Sequence, residues 1–375
     1  MKIAVNTRLL LDNKLEGIGW HTYEILRRMV ASHQEDSFYF FFDRPCHRKF
    51  LFGPNVHPVV LAPPARHPVL FFIWFEWSVC RALDRIKPDV FYSTDGFLSL
   101  RTQIPTLLTI HDLAYLHFPE HIPFLMRTYY QLMMPRYIRR ANHLITVSEY
   151  SKKDLTTQFG LPADQVTVAY NGCRPVFHSA DPSQNQAIRD QVSDGKPYFL
   201  YVGSMHPRKN IERFLDAFRL FKEKDTRDIH LVLAGRMAWN AASIKTKLEQ
   251  HPFRGYIHLT GMIPDERMAA LFRGAIALVY PSLLEGFGMP VLEALSCHTL
   301  PVISGTSSLP EVGGDAAVYV DPLLTTSICD GMVRAVDHNP EDLTWINKVD
   351  KQVAKFSWDR SAALIYQELL NLSGR

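Results

Sequence analysis

Two acidic and two basic residues stand at positions where phosphate and sugar chemistry could take place. The stretch "PSLLEGFGMPVLEA" carries Glu285 and Glu293 around a glycine turn, directly after the apolar run "AIALVY". In "YVGSMHPRKNIERF", Arg208 and Lys209 follow Gly203 at the end of another apolar run. Cations ahead of a helix start favour a bound anion, and a carboxylate can accept two hydrogen bonds from the vicinal diol of a ribose. The combination predicts a nucleoside diphosphate site. Alone, the basic pair is equally typical of a solvated turn, and each glutamate is more typical of a turn carboxylate or of one that only complements the helix dipole.

The glycine turn itself predicts close approach of the backbone to a ligand. Gly286 and Gly288 carry no side chain that would keep a ligand away, and Pro290 suits the start of a helix. Glu293 then falls about one turn into that helix, where a carboxylate is electrostatically favoured.

Candidates in the first half of the chain are individually weaker. "TLLTIHDLAYLHFPE" places His111 after a strand, either as a buried core residue or as a group that handles a proton. "DNKLEGIGWHTYEIL" places Gly17 and Gly19 between the first strand and a helix, without the third glycine of a dinucleotide-binding motif. A plain loop accounts for "SGTSSLPEVGGDAAVYVDP" with Glu311.

Short apolar runs that alternate with helical patterns must position these residues. Such an alternation predicts parallel α/β sheets, and continuous apolar runs predict strands buried on both faces. The thirteen runs are "KIAV", "SFYFFF", "VHPVV", "DVFYST", "TLLTI", "HLITV", "QVTVAYN", "YFLYVG", "IHLVLAG", "YIHLTG", "IALVYPS", "LPVIS" and "AAVYVD". Among the helices, "NIERFLDAFRLFKEK" follows Asn210 as N-cap, and "SEYSKKDLTTQFGLP" runs from Ser148 to Gly160.

The polar segment Cys173–Gln186 divides the strand list and is the best linker candidate. We therefore expect one Rossmann-like domain over residues 1–175 and a second over 176–357. Because ligands of such sheets bind at the carboxyl ends of strands, the expected site is the cleft between the two domains.

Composition narrows the class of protein. The chain has 375 residues, 47% apolar and 21% charged, with a net charge of +3, which is typical of a folded protein and not of a polyanion binder. It begins without a signal-peptide pattern, and its most apolar run, "PVLFFIWF", is too short to span a bilayer. The five cysteines show no metal-ligand spacing and are expected to be reduced core thiols of an intracellular protein: Cys46, Cys80, Cys173, Cys297 and Cys329.

Taken together, these motifs resemble those of family 4 retaining glycosyltransferases. "LLEGFGMPVLEA" is similar to the family's two-glutamate motif, and "VGSMHPRKN" to its phosphate-binding turn. "EGIGWHTYEIL", "TIHDLAYLHFPE", "VSEYSKKDL" and "SSLPEVGGDAAVYVDP" resemble further family segments in the family's order. The closing "KFSWDRSAALIYQELL" is similar to the last helix, which returns to the first domain, so that residues 358–375 join it. The resemblance implies an α/β GT-B fold with two Rossmann-like parallel-sheet domains, the first for the acceptor and the second for a nucleotide sugar.

The resemblance also implies roles for single residues. Arg208 and Lys209 would hold the diphosphate beside Gly203, and Glu293 the ribose hydroxyls. Glu285 and His111 would lie beside the transferred sugar, with Gly17 and Gly19 on the diphosphate or acceptor side. The remaining implied donor contacts come from the loop "TGMIP" and from the glutamate motif: Met262, Ile263, Phe287, Gly288, Met289 and Leu292. The chain departs from many relatives at Ser204, where they carry arginine after the glycine.

Within the family, the chain most resembles bacterial mannosyltransferases, which implies transfer from GDP-mannose to a glycan or lipid-linked saccharide. No cofactor or metal is expected, because cations aimed at the leaving diphosphate can replace a divalent ion. Retention could follow a covalent or a front-face route, and the resemblance favours the front-face route. The alternatives are a nucleotide-sugar epimerase of the same fold and a non-catalytic sugar-nucleotide binding protein.

Two stretches raise the question of a membrane partner. "FFIWFEW" and "MRTYYQLMMPRYIRR" combine aromatic and basic residues that could dock on an anionic bilayer, or else be core helices with snorkelling basic side chains. The expected location is the cytoplasm, with peripheral contact at the inner face of the plasma membrane. No sequence pattern indicates nucleic acid as a partner.

Overall fold

The computed structural model describes residues 1–12, 15–180, 185–237 and 242–374. Contacts divide the chain into two compact units, one formed by Met1–Asn171 with Ser357–Arg375 and the other by Gly172–Phe356. The expected boundaries at 175/176 and 357/358 differ from these by four residues and by one.

The first unit contains a parallel sheet, with seven strands among the described residues. Their spatial order is β3-β2-β1-β4-β5-β6-β7, which reverses direction between β1 and β4. The strands are β1 (Lys2–Asn6), β2 (Ser37–Phe42), β3 (Val56–Val60), β4 (Val90–Ser93), β5 (Thr106–Ile110), β6 (His143–Thr146) and β7 (Val166–Val168).

The second unit repeats this plan with six strands in its described residues. Their order is β10-β9-β8-β11-β12-β13, again parallel, with the reversal between β8 and β11. The strands are β8 (Tyr198–Val202), β9 (His230–Ala234), β10 (Ile257–Gly261), β11 (Ala277–Tyr280), β12 (Leu300–Ser304) and β13 (Val318–Val320). All thirteen strands predicted from the apolar runs are confirmed.

Helices follow most of the strands. Those of the first unit are α1 (Gly17–Ser32), α2 (Pro68–Ile73), α3 (Cys80–Ile86), α4 (Ala114–His117), α5 (Phe124–Arg140), α6 (Glu149–Phe159) and α15 (Trp358–Ser373), with a π-helical segment, Trp74–Val79, joining α2 to α3. Those of the second unit are α7 (Asn185–Val192), α8 (Ile211–Lys224), α9 (Ala242–Glu249), α10 (Asp265–Gly274), α11 (Met289–Ser296), α12 (Leu309–Gly313), α13 (Thr325–Val336) and α14 (Leu343–Val353).

The central strands are buried on both faces, as the continuous apolar runs predicted, but the edge strands are not. Strands β5, β8 and β9 are buried at every residue, because helices cover both faces of each sheet. In the edge strands β3 and β10 only the first residue is buried, and the other residues are half-buried or exposed. The prediction of complete burial was therefore wrong at the edges, where one side of the strand has no neighbour.

The helix ends follow the sequence signals with one exception. The Ser148 side chain caps α6 by accepting from the Ser151 amide, and Gly160 ends the helix in a left-handed conformation. Asn210 does precede α8, but its side chain makes no cap hydrogen bond. Its Nδ2 instead donates to the carbonyls of Pro281 (3.0 Å) and Pro322 (2.7 Å), so Asn210 ties together three loops of the second unit.

The predicted linker, Cys173–Gln186, is only partly a connection. Arg174 and Phe177 are buried, and the Phe177 ring packs on Phe272 at 5.8 Å between centroids. Residues 181–184 lie outside the described residues, and Gln186 belongs to α7. The prediction of a plain linker missed this packing because most of the segment is polar, while two of its side chains are buried in the second unit.

The C-terminal helix α15 packs in the first unit, as the resemblance implied. It lies against α1, and its Tyr366 hydroxyl donates to Asp36 at 2.6 Å. Its Glu368 carboxylate accepts from Thr167 of β7 at 2.9 Å. None of the helices in the described segments is long and apolar enough to cross a membrane.

The cysteines are free, and three of them are core residues: Cys80, Cys297 and Cys329. Cys46 and Cys173 are only half-buried, so the expectation of five core thiols was wrong for these two. They lie in irregular segments, where the chain runs at the surface of its unit.

Candidate functional site

The candidate site lies where the second sheet reverses its strand order. Strands β8 and β11 are neighbours there, and their carboxyl ends lead into the segments that carry Arg208, Lys209 and Glu285. In open parallel sheets, ligands bind at this switch point, because the two following loops separate and leave a crevice. The topology thus brings two motifs together, although Lys209 and Glu285 are 76 residues apart in the sequence.

An ion cluster of Arg208, Lys209 and Glu285 forms the centre of this site. Lys209 Nζ donates to Glu285 Oε1 at 2.5 Å and to the Tyr280 hydroxyl at 2.6 Å. Arg208 Nη1 lies 3.5 Å from Glu285 Oε2 and also donates to the Leu284 carbonyl. The cluster therefore brings two cations together with one carboxylate.

Glu285 is a buried anion that the two cations maintain. Burial by itself opposes ionisation, but Lys209 and then Arg208 lower the pKa of Glu285 from its ordinary 4.5 to about 2. Its side chain is 8% exposed. Glu285 is thus enclosed in the second unit and paired with both cations.

The loop after β11 is fixed by hydrogen bonds from two directions. The Leu283 amide donates to the Arg208 carbonyl at 2.9 Å, which joins the two motifs through the backbone. The Ser308 hydroxyl lies 2.9 Å from the Glu285 carbonyl and 3.0 Å from that of Phe287, while the Ser307 hydroxyl accepts from the Glu285 amide at 3.1 Å. The segment "SGTSS", which sequence reasoning had taken for a plain loop, thus supports the site.

Two glycines let the ends of β8 and β9 approach closely. Gly203 has φ +138° and Gly235 has φ +143°. A Cβ on Gly235 would lie 2.0 Å from the Gly203 carbonyl oxygen, so no side chain fits there. Gly235 was missed as a site residue, although "VLAG" at a strand end carries the same signal as "YVG" at Gly203.

Glu293 pairs with an arginine that sequence reasoning did not select. Arg174 Nη2 donates to Glu293 Oε1 at 2.8 Å, and its Nη1 donates to Asp265 Oδ2 at 2.5 Å. Burial raises the pKa of Glu293 even though Arg174 opposes that effect. The start of a helix favours a carboxylate, but at Glu293 the desolvation of the charged form is the larger effect. The only sequence signal for Arg174 as a site residue is its position, shortly after β7 and before a buried phenylalanine.

The other predicted donor residues of the second unit differ in exposure. Gly288, with φ +98°, precedes α11, and a Cβ there would meet Leu309 Cδ2 at 2.6 Å. Phe287 is buried and packs edge-on against Phe356, while Met289 is half-buried at the first position of α11. Leu292 is a core residue with 1% exposure, so only its backbone is available to a ligand. Met262 is 59% exposed and Ile263 is half-buried, between β10 and α10.

In the first unit, His111 follows β5 and is held by the end of β4. Its Nε2 lies 2.9 Å from the Thr94 carbonyl, which can only accept, so Nε2 carries the proton and Nδ1 is an acceptor. Burial lowers the pKa of His111, which keeps the ring neutral near pH 7. Its ring packs edge-on against His21 at 4.8 Å between centroids.

Gly17 and Gly19 lie inside the first turn of α1, and not between the strand and the helix as predicted. A Cβ on Gly17 would meet no atom within 4 Å, so packing does not require a glycine there. Gly19 has a packing reason to be glycine, since a Cβ there would lie 3.0 Å from the Leu9 carbonyl oxygen.

A cavity of about 200 Å³ opens beside His111 at the carboxyl ends of β4 and β5. Its lining combines polar groups and aromatic rings, among them Asp95, Phe97, His111, Asp112, Tyr115 and Tyr130. Asp95 is fixed by Arg8 Nε at 2.5 Å and by Asn6 Nδ2 at 2.8 Å. The Tyr115 hydroxyl is buried and has no hydrogen-bond partner within the described part of the chain. The cavity thus offers polar groups and ring faces, the two surfaces that a saccharide requires.

Comparison with known proteins gives family matches in both units. The model described as "Glycosyltransferase Family 4" matches residues 15–176, and the one described as "Glycosyl transferases group 1" matches residues 183–351. The O-antigen chain mannosyltransferase B of Escherichia coli is 27% identical over 360 residues, covering 92% of this chain and 93% of that protein. The O-antigen chain mannosyltransferase RfbU of Salmonella typhimurium is 23% identical over 314 residues, covering 83% and 82%.

A similarity to solved structures supports the fold independently. The Anabaena protein HepE, solved in complex with UDP-glucose, has a TM-score of 0.74 and 17% identity over 99% of this chain and 100% of that chain. Two parallel-sheet units with the same strand order are what the GT-B fold requires. With successive family models over both units and a cation–carboxylate cluster at the second switch point, the chain belongs to the family 4 glycosyltransferases of GT-B fold.

Proposed function

We propose that the chain transfers mannose from GDP-mannose to a saccharide acceptor, with retention, in the synthesis of a cell-surface polysaccharide. The observation that carries this proposal is the ion cluster at the switch point of β8 and β11, where the cations Arg208 and Lys209 lie beside the buried carboxylate of Glu285. The names of the two O-antigen mannosyltransferase relatives support the choice of sugar and of acceptor class.

The cations act on the leaving group. The bond between the anomeric carbon and the diphosphate oxygen breaks, and negative charge accumulates on that oxygen. Fixed cations aimed at the developing charge stabilise the transition state, and they need no reorganisation during the reaction. In the front-face route, the acceptor oxygen bonds to the anomeric carbon on the same side, and its proton passes to the departing diphosphate oxygen. No residue of the chain forms a covalent bond in this route.

Glu285 orients these cations. Because it is buried and ionised, it fixes Lys209 Nζ at 2.5 Å and attracts the Arg208 guanidinium from 3.5 Å. Phe287 and Gly288 lead into Met289, the first residue of α11, and the backbone amides at a helix start suit hydroxyl or phosphate oxygens. We assign the sugar to this turn and the guanine to the segment with Met262 and Ile263.

Glu293 binds the ribose hydroxyls as a charged acceptor. Arg174 holds one of its oxygens at 2.8 Å, which leaves the other carboxylate oxygen for a diol. Glu293→Gln keeps the shape and removes the charge, so we expect it to weaken GDP binding by about tenfold, the effect of one charge-assisted hydrogen bond. Titration calorimetry measures the affinity for GDP. An unchanged affinity would show that Glu293 only pairs with Arg174 and does not bind the ribose.

The acceptor occupies the cavity of the first unit. His111 Nδ1 accepts a hydrogen bond from a sugar hydroxyl, the Tyr115 hydroxyl donates another, and Phe97 supplies an aromatic face. Tyr115→Phe removes only the unpartnered hydroxyl, so it should raise the KM for the acceptor and leave acceptor-free hydrolysis of the donor unchanged.

An apolar–basic surface of the first unit faces solvent on α2, α5 and the π-helical segment that follows α2. Its apolar members are each at least 36% exposed: Val69, Phe72, Ile73, Trp77, Phe124, Leu125 and Leu132. The Arg101 guanidinium lies 5.7 Å from the Trp77 ring centroid, and that of Arg127 lies 5.5 Å from the Phe124 ring centroid. Phe71, Trp74 and Phe75 of the same stretch are core residues, as the core-helix alternative expects, whereas docking of the exposed side chains on a bilayer stays a proposal. We assign this surface to anionic lipid headgroups at the inner face of the plasma membrane, where lipid-linked acceptors would be met.

A donor screen tests the proposed function directly. The purified chain is incubated with GDP-mannose, UDP-glucose and ADP-glucose, each with and without a mannose-terminated acceptor. We expect hydrolysis and transfer with GDP-mannose only, and an α-linked product by nuclear magnetic resonance. A changed sugar in the nucleotide-bound donor without acceptor would favour the epimerase, and binding without turnover of any donor would favour a non-catalytic protein.

A further inference from the structure

A cluster of two histidines and an aspartate lies at the amino end of the second sheet, opposite to the edge that carries the candidate site. His230 is the first residue of β9, and His258 is the second residue of β10. Asp194 lies in the turn after α7, where its φ of +54° is unusual for a residue other than glycine. A nitrogen of each histidine and a carboxylate oxygen of Asp194 lie within 4.8 Å of one another.

The histidine nitrogens already face each other. His230 Nδ1 lies 2.7 Å from His258 Nε2, and the two ring planes differ by only 12°. The parallel register pairs Val232 with His258, so the strands fix this meeting of the two rings. With an imidazole pair and one carboxylate, the donor set is the one that zinc and the neighbouring divalent transition metals prefer.

A second carboxylate sets the tautomer of His230. Its Nε2 lies 3.3 Å from Asp228 Oδ1, and the other oxygen of Asp228 is bound by Lys196 at 2.6 Å. Asp228 accepts a hydrogen bond from the Nε2–H of His230, which leaves the lone pair of Nδ1 directed at His258. Metal-ligating histidines are typically oriented by such a carboxylate on the far nitrogen.

We propose that Asp194, His230 and His258 bind one divalent transition-metal ion, zinc in the first place, as a structural link between the turn after α7 and strands β9 and β10. The ion takes Nδ1 of His230, Nε2 of His258 and one oxygen of Asp194, and a water completes a tetrahedron. His258 then carries its proton on Nδ1. Bond lengths of about 2.0–2.1 Å place the two nitrogens about 3.4 Å apart, so the rings separate by about 0.7 Å on binding. The exposed Asp194 leaves the ion a path from solvent.

Zinc binding by the whole chain, without a polyhistidine tag, tests the proposal. The chain is stripped with a chelator, dialysed and titrated with ZnCl₂ against a chromophoric zinc indicator, and bound zinc is counted by mass spectrometry. We expect one zinc per chain and a raised thermal midpoint. His258→Ala should weaken binding at least a hundredfold, and Asp228→Asn tenfold to a hundredfold through loss of orientation.

His298→Ala is the matched control, since His298 also pairs with an aspartate, Asp350, at 3.2 Å, away from the cluster. It should bind zinc like the wild-type chain. Cobalt absorption bands of a tetrahedral site, present in the control and lost in His258→Ala, identify the ligands without recourse to activity. The proposal is overturned if a folded wild-type chain takes up no stoichiometric zinc, or if His258→Ala, with an unchanged circular dichroism spectrum, binds as tightly as the control.

Discussion

At the scale of single residues, Lys209 has two separable duties. It neutralises the buried Glu285, and in the proposed reaction it also stabilises the leaving diphosphate. Lys209→Ala should therefore lower turnover about 10²–10³-fold, as for the loss of one fixed electrostatic group in other enzymes, and should also destabilise the fold by about 3–5 kcal/mol. Initial rates and thermal unfolding measure the two effects.

The double variant Lys209→Ala/Glu285→Gln separates these duties. Removing the buried charge together with its partner should restore most of the stability, while turnover stays low because the leaving group still lacks its cation. Lys224→Ala, an exposed lysine 3.8 Å from Asp330, is the control and should match the wild type. Wild-type turnover in the double variant would show that Lys209 serves only to neutralise Glu285.

Glu285 also makes a prediction about acid stability. Its pKa is lowered from 4.5 to about 2 in the folded chain, so it stabilises the fold above about pH 4.5, and this contribution is lost as pH falls towards 2. The full shift corresponds to about 3 kcal/mol. The thermal midpoint of Glu285→Gln should therefore fall less steeply than that of the wild type between pH 5 and pH 3, as measured by calorimetry. Parallel curves would contradict a lowered pKa.

The residues that sequence reasoning found and those that it missed differ in a physical way. Arg208, Lys209 and Glu285 stand beside glycines at strand ends, where local signals mark a ligand loop. Arg174 and Tyr280 act through contacts that span 119 and 71 residues of chain, to Glu293 and Lys209. No local pattern reports such a contact, because only the folded sheet brings the partners together.

At the scale of elements, Gly235 sets how closely β8 and β9 can approach at their carboxyl ends. Gly235→Ala would place a methyl group 2.0 Å from the Gly203 carbonyl oxygen, in a backbone conformation that disfavours a side chain. We expect a loss of about 2–3 kcal/mol and a thermal midpoint lower by about 4–12 °C. Since the displaced strand end leads to Arg208, the affinity for GDP should fall about tenfold as well.

Gly255→Ala is the control for this change. Gly255 lies in the same unit, and a Cβ there meets no atom within 4 Å. Calorimetric unfolding and GDP titration of the two variants give the comparison. If the two alanine variants have the same thermal midpoint and the same affinity for GDP, the strand ends can move apart without loss of stability, and Gly235 does not position the phosphate turn.

Elements were the most predictable level of this structure. Every predicted strand exists, because a continuous apolar run between turn residues has few other uses in a chain with alternating helical patterns. The errors lie where tertiary contacts override a local signal. Asn210 is a residue type that commonly caps helices, but its side chain holds loops together. Gly17 is a residue type common in loops, but it is the first residue of a helix.

At the scale of the whole molecule, the chain leaves its first unit at residue 171 and returns to it at residue 357. The last helix therefore completes the first unit, in which Arg28 of α1 binds Asp359 of α15 at 2.6 Å. The same unit carries the cavity beside His111 and the apolar–basic surface. Acceptor binding and membrane contact are thus both assigned to the first unit, and donor binding to the second.

Flotation with lipid vesicles tests the assignment of the apolar–basic surface. The triple variant Trp77→Ser/Phe124→Ser/Leu125→Ser removes three side chains that are 50%, 73% and 52% exposed, so the core should be unaffected. If each contributes about 1 kcal/mol on insertion, partitioning into vesicles with phosphatidylglycerol should fall about 10²-fold. Binding of the wild type should also weaken in high salt and with uncharged phosphatidylcholine, since the arginines then lose their partners.

The control for flotation comes from the second unit. Leu343→Ser changes a leucine that is 74% exposed on α14 and is not a member of the proposed surface, so it should leave vesicle binding unchanged. Transfer to a water-soluble acceptor should be the same in the triple variant and the wild type, because the surface serves location and not chemistry. If the triple variant floats with anionic vesicles as the wild type does, these exposed side chains do not bind the membrane. The acceptor would then have to reach the cavity without membrane docking at this face.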